Sequence, residues 1–452
     1  MSIAKGFVIA APSSGSGKTT ITLALLRALR ETGLRVASGK SGPDYIDPAF
    51  HKAASGRPCL NYDAWAMSLA QLSLNATEQA EHTDVVVIEG AMGLFDGAAD
   101  GSGSVADLAT HLGLPIILVV DCKSQAHSVA ALVHGFLTYQ PHCHIAGVIL
   151  NRVGSPRHER ILRQALEKLN VIVLGAFYRS ETLALPERHL GLVQASERED
   201  LEAFLIAAGA AAAKNIDMLV LMRLAKVLAI PARENKKLTG ISHLPPLGQH
   251  MAIAKDIAFA FNYEHLLNNW QKQGATLSFF SPLADESPSS DADAIFLCGG
   301  YPELHAETLA HADNFKSGMI AATQADKLIY GECGGYMALG QTLTDKAGQT
   351  HEMLGLLPHD TSFAKRKLHL GYRKLRCTEA AKNAGFPWQK PLGAHEFHYS
   401  TLHCASKAPS LFEAQDAEHH DLDPLGHING RIMGSFAHVV AERSEDWWSA
   451  SF

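Results

Sequence analysis

The segment Phe7-Val8-Ile9-Ala10-Ala11-Pro12-Ser13-Ser14-Gly15-Ser16-Gly17-Lys18-Thr19-Thr20 sets the architecture of the amino-terminal half. Its apolar start predicts a buried strand, and the helical pattern of Ile21–Arg30 follows the Gly/Ser-rich turn. A strand, a glycine-rich loop and a helix in this order form a phosphate-binding loop, because backbone N–H groups and the helix N-terminus surround the phosphates. The usual pattern begins with glycine where this chain has Pro12, so a chance Gly/Ser turn is the alternative.

The loop residues have distinct predicted roles in binding ATP. Lys18 neutralises phosphate charge, and Thr19 offers a hydroxyl to Mg²⁺. Asn151, just after the apolar run Ile145–Leu150, stands where P-loop enzymes often bind adenine, with an Asx turn as the alternative. The predicted nucleotide-binding residues are Ser14, Gly15, Ser16, Gly17, Lys18, Thr19, Thr20 and Asn151.

Short apolar runs alternate with longer helical segments through most of the chain, which predicts an α/β fold with mostly parallel, buried sheets. In the first half these runs are Phe7–Ala11, Val36–Gly39, Val85–Ile88, Ile116–Val120, Ile145–Leu150 and Val171–Ala176. The rhythm breaks at a proline-containing, basic segment and then resumes at Met251–Ala254. We therefore predict a P-loop domain at 1–230, a linker at 231–248 and a second, flavodoxin-like α/β domain at 249–452.

Acidic residues follow predicted strands at the edge where ligands bind to parallel sheets. Asp44 and Asp47 lie in the loop after the second strand, Glu89 ends the third apolar run of the first half, and Asp96 lies in a glycine-rich continuation. Carboxylate oxygens beside a triphosphate favour Mg²⁺. A helix cap or a turn is the alternative role for each acid, above all for Asp47 and Asp96.

Composition excludes several classes of partner. The 452 residues carry a formal net charge of −7, so no global attraction to nucleic acid or an anionic membrane surface is expected. The seven cysteines form no disulfide or metal-binding pattern, and the N-terminus has no apolar signal-peptide core. We expect a cytoplasmic protein.

The second half contains the sequence Gly331-Glu332-Cys333-Gly334-Gly335 between a predicted strand and a helix. A tight strand-to-helix turn exposes a nucleophile, and the next N–H, from Gly334, can bind an oxyanion together with the earlier Gly300 loop. His438 is the predicted base. Packing in the core is the alternative role of Cys333. Together, the two halves predict an ATP-driven amide synthase that takes ammonia from glutamine.

With these residues, the chain resembles the cobyrinic acid a,c-diamide synthase family of the cobalamin pathway. The family joins a dethiobiotin-synthetase-like ATPase to a class I glutamine amidotransferase domain. The segments that carry the resemblance are Ser14–Thr20, Gly42–Pro48, Glu89–Gly97, Gly299–Glu303, Glu332–Gly335 and His395–Ser400.

The resemblance implies ATP- and glutamine-dependent amidation of the a and c carboxylates of a corrinoid through acyl phosphates. It also implies that Thr19, Asp44 and Glu89 bind Mg²⁺, and that Asp44, Tyr45, Ile46, Asp47 and Asp96 contact the substrate. A homodimer is one option for the assembly. Related amidotransferases orient the histidine with a glutamate two residues later, where this chain has Val440, so the third member of the triad is unassigned.

Several alternatives share this chemistry. The nearest is cobyric acid synthase, a four-site amidase of similar architecture, followed by close relatives that act on hydrogenobyrinic acid or nickel-sirohydrochlorin. A P-loop ATPase switch with an inactive amidotransferase is an alternative from a different class, although Cys333 and His438 argue against it.

Overall fold

A computed structural model describes residues 4–183, 187–188, 191–228, 241, 243–404 and 408–449. The chain forms two compact units, Met1–Ile241 and Ser242–Phe452. Of the predicted linker at 231–248, residues 231–240 and 242 lie outside the described residues.

The first unit alternates strands with helices. In chain order its elements are β1 (Lys5–Ala10), α1 (Lys18–Glu31), β2 (Val36–Ser41), α2 (Asp47–Ser55), β3 (Cys59–Tyr62), α3 (Leu69–Ala80), β4 (Val85–Glu89), α4 (Val105–Leu112), β5 (Ile116–Asp121), α5 (Val129–Tyr139), β6 (Ile145–Val153), α6 (Pro156–Glu167), β7 (Val173–Tyr178), β8 (Glu187–Arg188), β9 (Gly191–Leu192), α7 (Leu201–Asn215), α8 (Met218–Leu224) and β10 (Lys226–Val227).

The main sheet of this unit has the strand order β3-β2-β4-β1-β5-β6-β7, and these neighbours pair in parallel. Strands β1 and β4 are almost wholly buried, because helices cover a parallel sheet on both faces. The predicted P-loop α/β fold is confirmed. Strands β3 and β10 were not predicted, since one is short and the other pairs antiparallel with the first residues of β1.

The second unit begins with the same alternation and then becomes rich in strands. In chain order its elements are β11 (His250–Ala254), α9 (Glu264–Lys272), β12 (Thr276–Phe280), β13 (Ala294–Leu297), α10 (Ala306–Ala310), α11 (Asp313–Gln324), β14 (Leu328–Glu332), α12 (Gly334–Leu339), β15 (Thr342–Thr344), β16 (Thr350–Glu352), β17 (His359–Ser362), β18 (His369–Cys377), α13 (Glu379–Asn383), β19 (Leu392–His398), β20 (Thr401–Cys404), β21 (Phe412–Gln415), β22 (Asp421–Leu425), β23 (His427–Asn429), β24 (Ile432–Ser435), β25 (His438–Glu442) and α14 (Glu445–Ser449).

The central sheet of this unit has the order β12-β11-β13-β14-β24-β23 and is parallel up to β24. It confirms the predicted flavodoxin-like α/β unit. A second sheet, β22-β21-β18-β19-β25, is antiparallel, and a third has the order β16-β15-β17-β20. Neither of these sheets was predicted. None of the helices in the described ranges is both long enough and apolar enough to cross a membrane.

Candidate active sites

The phosphate-binding loop lies between the end of β1 and the start of α1, as predicted. Gly15 and Gly17 have φ values of 74° and 86°, a left-handed backbone that favours glycine. The Asn151 amide donates to the Ser16 carbonyl at 2.8 Å, and a Cβ on Gly17 would come within 2.2 Å of that amide nitrogen. Asn151 therefore holds the loop in place, while its predicted contact with adenine stays a prediction.

Lys18 is buried at the start of α1, with its ammonium held over the loop. Its Nζ donates to the Met92 carbonyl at 2.5 Å and to the Ser13 carbonyl at 3.3 Å. Burial lowers the pKa of Lys18 to about 8, although Glu89 and other nearby carboxylates act against this shift. Like these carboxylates, a bound phosphate would favour the charged ammonium and so raise the pKa of Lys18.

Oxygen atoms from three elements meet beside the loop. The Thr19 hydroxyl lies 2.7 Å from Glu89 Oε1 and 3.3 Å from Asp47 Oδ2. Glu89 ends β4 and is fully buried, whereas Asp47 begins α2. A hydroxyl and two carboxylates are the hard oxygen ligands that suit Mg²⁺, so the residues present fit the metal.

Two of the predicted acids also shape the backbone. Asp44 Oδ1 accepts hydrogen bonds from the N–H groups of Ile46 at 2.8 Å and Asp47 at 3.2 Å, where α2 begins. Asp96 Oδ2 accepts from the Gly93 N–H at 2.8 Å. Cap and turn roles therefore accompany the predicted contacts of these acids with metal or substrate, which stay predictions.

Lys40 and His51 belong to the same cluster, although sequence reasoning gave them no role. Lys40 Nζ contacts Asp47 Oδ2, lies 2.9 Å from Glu89 Oε1 and lies 3.6 Å from Asp44 Oδ2. His51 Nε2 lies 2.6 Å from Glu89 Oε2. A signal for Lys40 was present, because a lysine within the otherwise uncharged strand β2 must find a buried partner.

The charges of this cluster are tightly coupled. Burial raises the pKa of Glu89, but the Lys40 ammonium and the His51 contact outweigh burial and hold the pKa below its ordinary value. Burial, together with the charge of Asp44, raises the pKa of Asp47 to about 7. Burial lowers the pKa of His51, yet its contacts with Cys59 and Glu89 prevail and raise the pKa to about 10. Glu89 is thus an anion held between two cationic groups.

A cavity of about 550 Å³ brings most of the predicted nucleotide and metal residues together. This volume lies in the range of small-molecule sites. Its lining includes Ser14, Gly15, Gly17, Lys18, Thr19, Thr20, Lys40, Asp44, Asp47, Glu89, Asn151, Arg152, Tyr178 and Arg179. The predicted residues Ser16, Tyr45, Ile46 and Asp96 do not line it. Arg152 and Arg179 are cationic wall residues that were not predicted.

Cys333 occupies a strained turn between β14 and α12. Its φ of 46° and ψ of −102° are rare for a residue other than glycine, and such strain is typical of a nucleophile elbow. The two positions after Cys333 leave no room for a side chain. A Cβ on Gly334 would lie 2.9 Å from the Gly300 nitrogen, and one on Gly335 would lie 1.9 Å from the Leu297 carbonyl oxygen. The two predicted oxyanion residues are therefore adjacent.

His438 reaches this turn through the pairing of β14 with β24. The register joins Glu332 to Ser435, and the Cys333 N–H donates to the Ser435 carbonyl at 2.8 Å. His438 follows three residues later as the first residue of β25 and is buried. Burial raises the pKa of Cys333, so a neighbouring base must take its proton before it attacks.

The segment His395–Ser400, which had no assigned role, lies on β19 and just beyond it. Glu396 pairs with Arg373 at 2.8 Å and with His398 at 2.9 Å, and the His398 ring stacks on Phe436 with centroids 3.8 Å apart. His395 pairs with His438 in the strand register. The segment thus supports the strand that carries the predicted base.

These features define a class of protein: a nucleotide-binding P-loop unit and a glutamine amidotransferase unit within one chain. Residues 7–193 match the family described as the CobQ/CobB/MinD/ParA nucleotide binding domain. Residues 250–446 match the CobB/CobQ-like glutamine amidotransferase domain.

Curated relatives match almost the whole chain. The hydrogenobyrinate a,c-diamide synthase of Brucella anthropi is 54% identical over 439 residues, which cover 96% of this chain and 98% of that protein. The proteins of the same name from Rhizobium meliloti and Mesorhizobium japonicum are 52% and 47% identical, and the matches cover 96% and 98% of this chain and 99% of each relative. The chain belongs to this a,c-diamide synthase family and is a glutamine-dependent amidating ligase.

Proposed function

We propose that the protein amidates the a and c carboxylates of hydrogenobyrinate with ATP as the energy source and glutamine as the nitrogen source. The observation that carries this proposal is the 54% identity to a synthase of that name over 96% of the chain. The relatives' names favour the macrocycle that the sequence left as an alternative to cobyrinic acid. The family thus supports the reaction, and the names of its members support the substrate.

The P-loop unit performs the activation step in this proposal. A carboxylate oxygen of the macrocycle attacks the γ-phosphorus of ATP, and ADP leaves with the electron pair of the broken bond. Lys18 and the loop N–H groups hold the phosphates, where they offset the charge of the phosphoryl-transfer state. Ammonia then attacks the acyl carbon, and phosphate leaves to give the amide. The cavity beside Lys18 and Thr19 supports this assignment.

We assign Mg²⁺ to the oxygen atoms of Thr19, Asp47 and Glu89, with Asp44 at the edge of the cluster. When bound, the metal would neutralise phosphate charge. The Thr19 and Glu89 contacts support the predicted ligands, and the position of Asp47 adds a further candidate. Lys40 already places a cationic group against the same carboxylates, which makes it a candidate for orienting the γ-phosphate or the incoming carboxylate.

The second unit supplies ammonia in this proposal. Cys333 Sγ attacks the side-chain amide carbon of glutamine while His438 accepts the thiol proton. The N–H groups of Gly334 and Gly300 stabilise the oxyanion. His438 returns the proton to the departing ammonia, and water then hydrolyses the thioester to glutamate. The strained Cys333 backbone and the adjacent glycines support these roles.

The other sequence predictions stay proposals. They are the substrate contacts of Asp44, Tyr45, Ile46, Asp47 and Asp96, the domain limits, the homodimer and the cytoplasmic location. Cys59, Cys122, Cys143, Cys298, Cys333 and Cys377 carry free thiols, which is compatible with a reducing compartment.

The test offers purified protein ATP, glutamine and one macrocycle at a time: hydrogenobyrinate, cobyrinic acid or nickel-sirohydrochlorin. Mass spectrometry of the products over time counts the amides formed. We expect hydrogenobyrinate to yield the diamide with the highest kcat/KM. Faster conversion of another ring would refute the proposed macrocycle, and failure to form any amide would refute the amidation itself.

A further inference from the structure

Glu332 is a buried carboxylate directly before the proposed nucleophile. It is the last residue of β14, and only 4% of its surface is exposed. Its Oε1 accepts hydrogen bonds from the Val439 N–H and the Tyr330 hydroxyl, each at 3.1 Å. These two contacts fix the carboxylate between β14 and β25, so its second oxygen has a defined direction.

That second oxygen faces the proposed base. Glu332 Oε2 lies 3.7 Å from His438 Nδ1, and both side chains are buried. An imidazole whose Nδ1 faces a carboxylate presents its Nε2 as the acceptor, which is the tautomer that a general base requires. The contact links residues 106 positions apart in sequence, and Glu332 directly precedes Cys333.

Other groups near the site are less suited to this role. Val440, at the position of the orienting glutamate in related enzymes, is apolar. Glu396 is engaged by Arg373 and His398. His395 pairs with His438 in the register, but burial, together with the charge of His438, lowers the pKa of His395 to about 3, so it stays neutral.

We propose that Glu332 is the positioning residue that orients His438 for glutamine hydrolysis. The inference rests on the proposed roles of Cys333 and His438. The thiol proton passes to Nε2, the carboxylate stabilises the resulting imidazolium through Nδ1–H, and Nε2 then gives the proton to the leaving ammonia. In this chain the acid of the triad therefore precedes the nucleophile instead of following the histidine.

Glu332→Gln tests the charge with little change of shape. The amide oxygen can still accept from Val439 and Tyr330, while an uncharged NH₂ replaces the oxygen that faces His438. We expect glutamine-dependent kcat to fall at least about 10-fold, and ammonia-dependent synthesis to stay within about twofold of wild type. The KM for glutamine should stay near that of wild type, because the change acts on the base and not on substrate binding.

Two further variants separate positioning from folding. Glu442→Gln changes a different buried carboxylate, which lies on β25 and pairs with Lys390 at 3.0 Å, and should leave glutaminase activity unchanged. Glu332→Asp keeps the charge but shortens the side chain, so its glutamine-dependent kcat should fall less than that of Glu332→Gln. This variant also provides a test if Glu332→Gln fails to fold.

The outcomes are distinct. A selective loss of glutaminase kcat in Glu332→Gln, with a KM for glutamine near that of wild type, supports the proposal. Wild-type glutaminase, or equal loss with both nitrogen donors, overturns it. A loss of glutaminase kcat in Glu332→Asp as large as that in Glu332→Gln also overturns it. Retained glutaminase in Cys333→Ala would instead overturn the proposed nucleophile, whatever Glu332 does.

Discussion

Cys333 combines a raised pKa with a strained backbone, so its reactivity depends on its neighbours and not on its resting charge. Cys333→Ala should lower glutamine-supported synthesis by about 10³-fold or more, since the thioester route is lost. Ammonia-supported synthesis should stay near wild type, because free ammonia bypasses that route. Initial rates with glutamine and with ammonium chloride, at fixed ATP and macrocycle, give the comparison.

The matched control is Cys377→Ala, which removes another buried thiol of the same unit. It should keep both activities. Thermal melting of both variants measures any loss of stability. Equal loss of the two activities in Cys333→Ala would contradict a role limited to glutamine hydrolysis.

Lys18 and Glu89 are the residues proposed to act in the other half-reaction. Lys18→Ala removes a phosphate-binding charge, and Glu89→Gln removes the anion shared by Thr19, Lys40 and His51. Each variant should lower synthesis by about 10²-fold or more with either nitrogen donor, because both act before ammonia enters. Coupled detection of ADP measures the loss, and Lys52→Ala, an exposed lysine of α2, is the control. Rescue by ammonia would place these residues outside the activation step.

Residues within dense motifs could be predicted, whereas residues that act through distant contacts could not. Glycine-rich loops at strand ends make Lys18, Thr19 and Cys333 candidates from local sequence alone. Lys40 depends on a partner 49 positions away, and His51 on one 38 positions away. The Asn151 amide pairs across 135 positions with the loop. Such contacts follow from the packing of the sheet and leave no local pattern.

At the scale of elements, the loop after β13 makes room for the proposed base. A Cβ on Gly299 would lie 2.2 Å from His438 Cε1, so Gly299→Ala must displace the imidazole. We expect glutamine-supported synthesis to fall by about 10²-fold, since small displacements of a reacting group are costly. Ammonia-supported synthesis should be retained. Gly135→Ala in α5, where a Cβ meets no atom within 4 Å, should keep both activities and serves as the control.

Elements buried on both faces were predicted well, and half-buried ones were not. Strand β4 is an unbroken apolar run, which identifies a central parallel strand. Strand β18 contains His369, Tyr372, Arg373 and Lys374 and shows no regular alternation. Its polar side chains find partners across the sheet, such as Glu396 for Arg373. The antiparallel sheets therefore depend on tertiary contacts that the sequence pattern does not reveal.

At the scale of the whole molecule, each compact unit holds the residues of one proposed half-reaction. Substitutions at the proposed site of the first unit should lower synthesis equally with glutamine and with ammonia. Substitutions at the proposed site of the second unit should lower only synthesis from glutamine. The second unit also contains buried histidines that make stability depend on pH. Burial lowers the pKa of His265 to about 4, the pKa of His359 to about 4 and the pKa of His395 to about 3.

The sign of this dependence follows from proton binding. Between an unfolded pKa of about 6.5 and the lower folded pKa, the unfolded chain binds more protons, so stability falls as pH falls. Each histidine contributes a slope of up to about 1.4 kcal/mol per pH unit in this window.

His265→Gln retains an N–H donor for the Val440 carbonyl but removes the titration. Urea unfolding at pH 6.5, 5.75 and 5.0 should therefore give a shallower slope for the variant. The raised pKa of Asp47 makes stability increase as pH falls, which is the opposite dependence. Because Asp47 is present in both wild type and variant, the difference between their two slopes reports on His265 alone. Identical slopes would show that His265 does not resist protonation in the folded state.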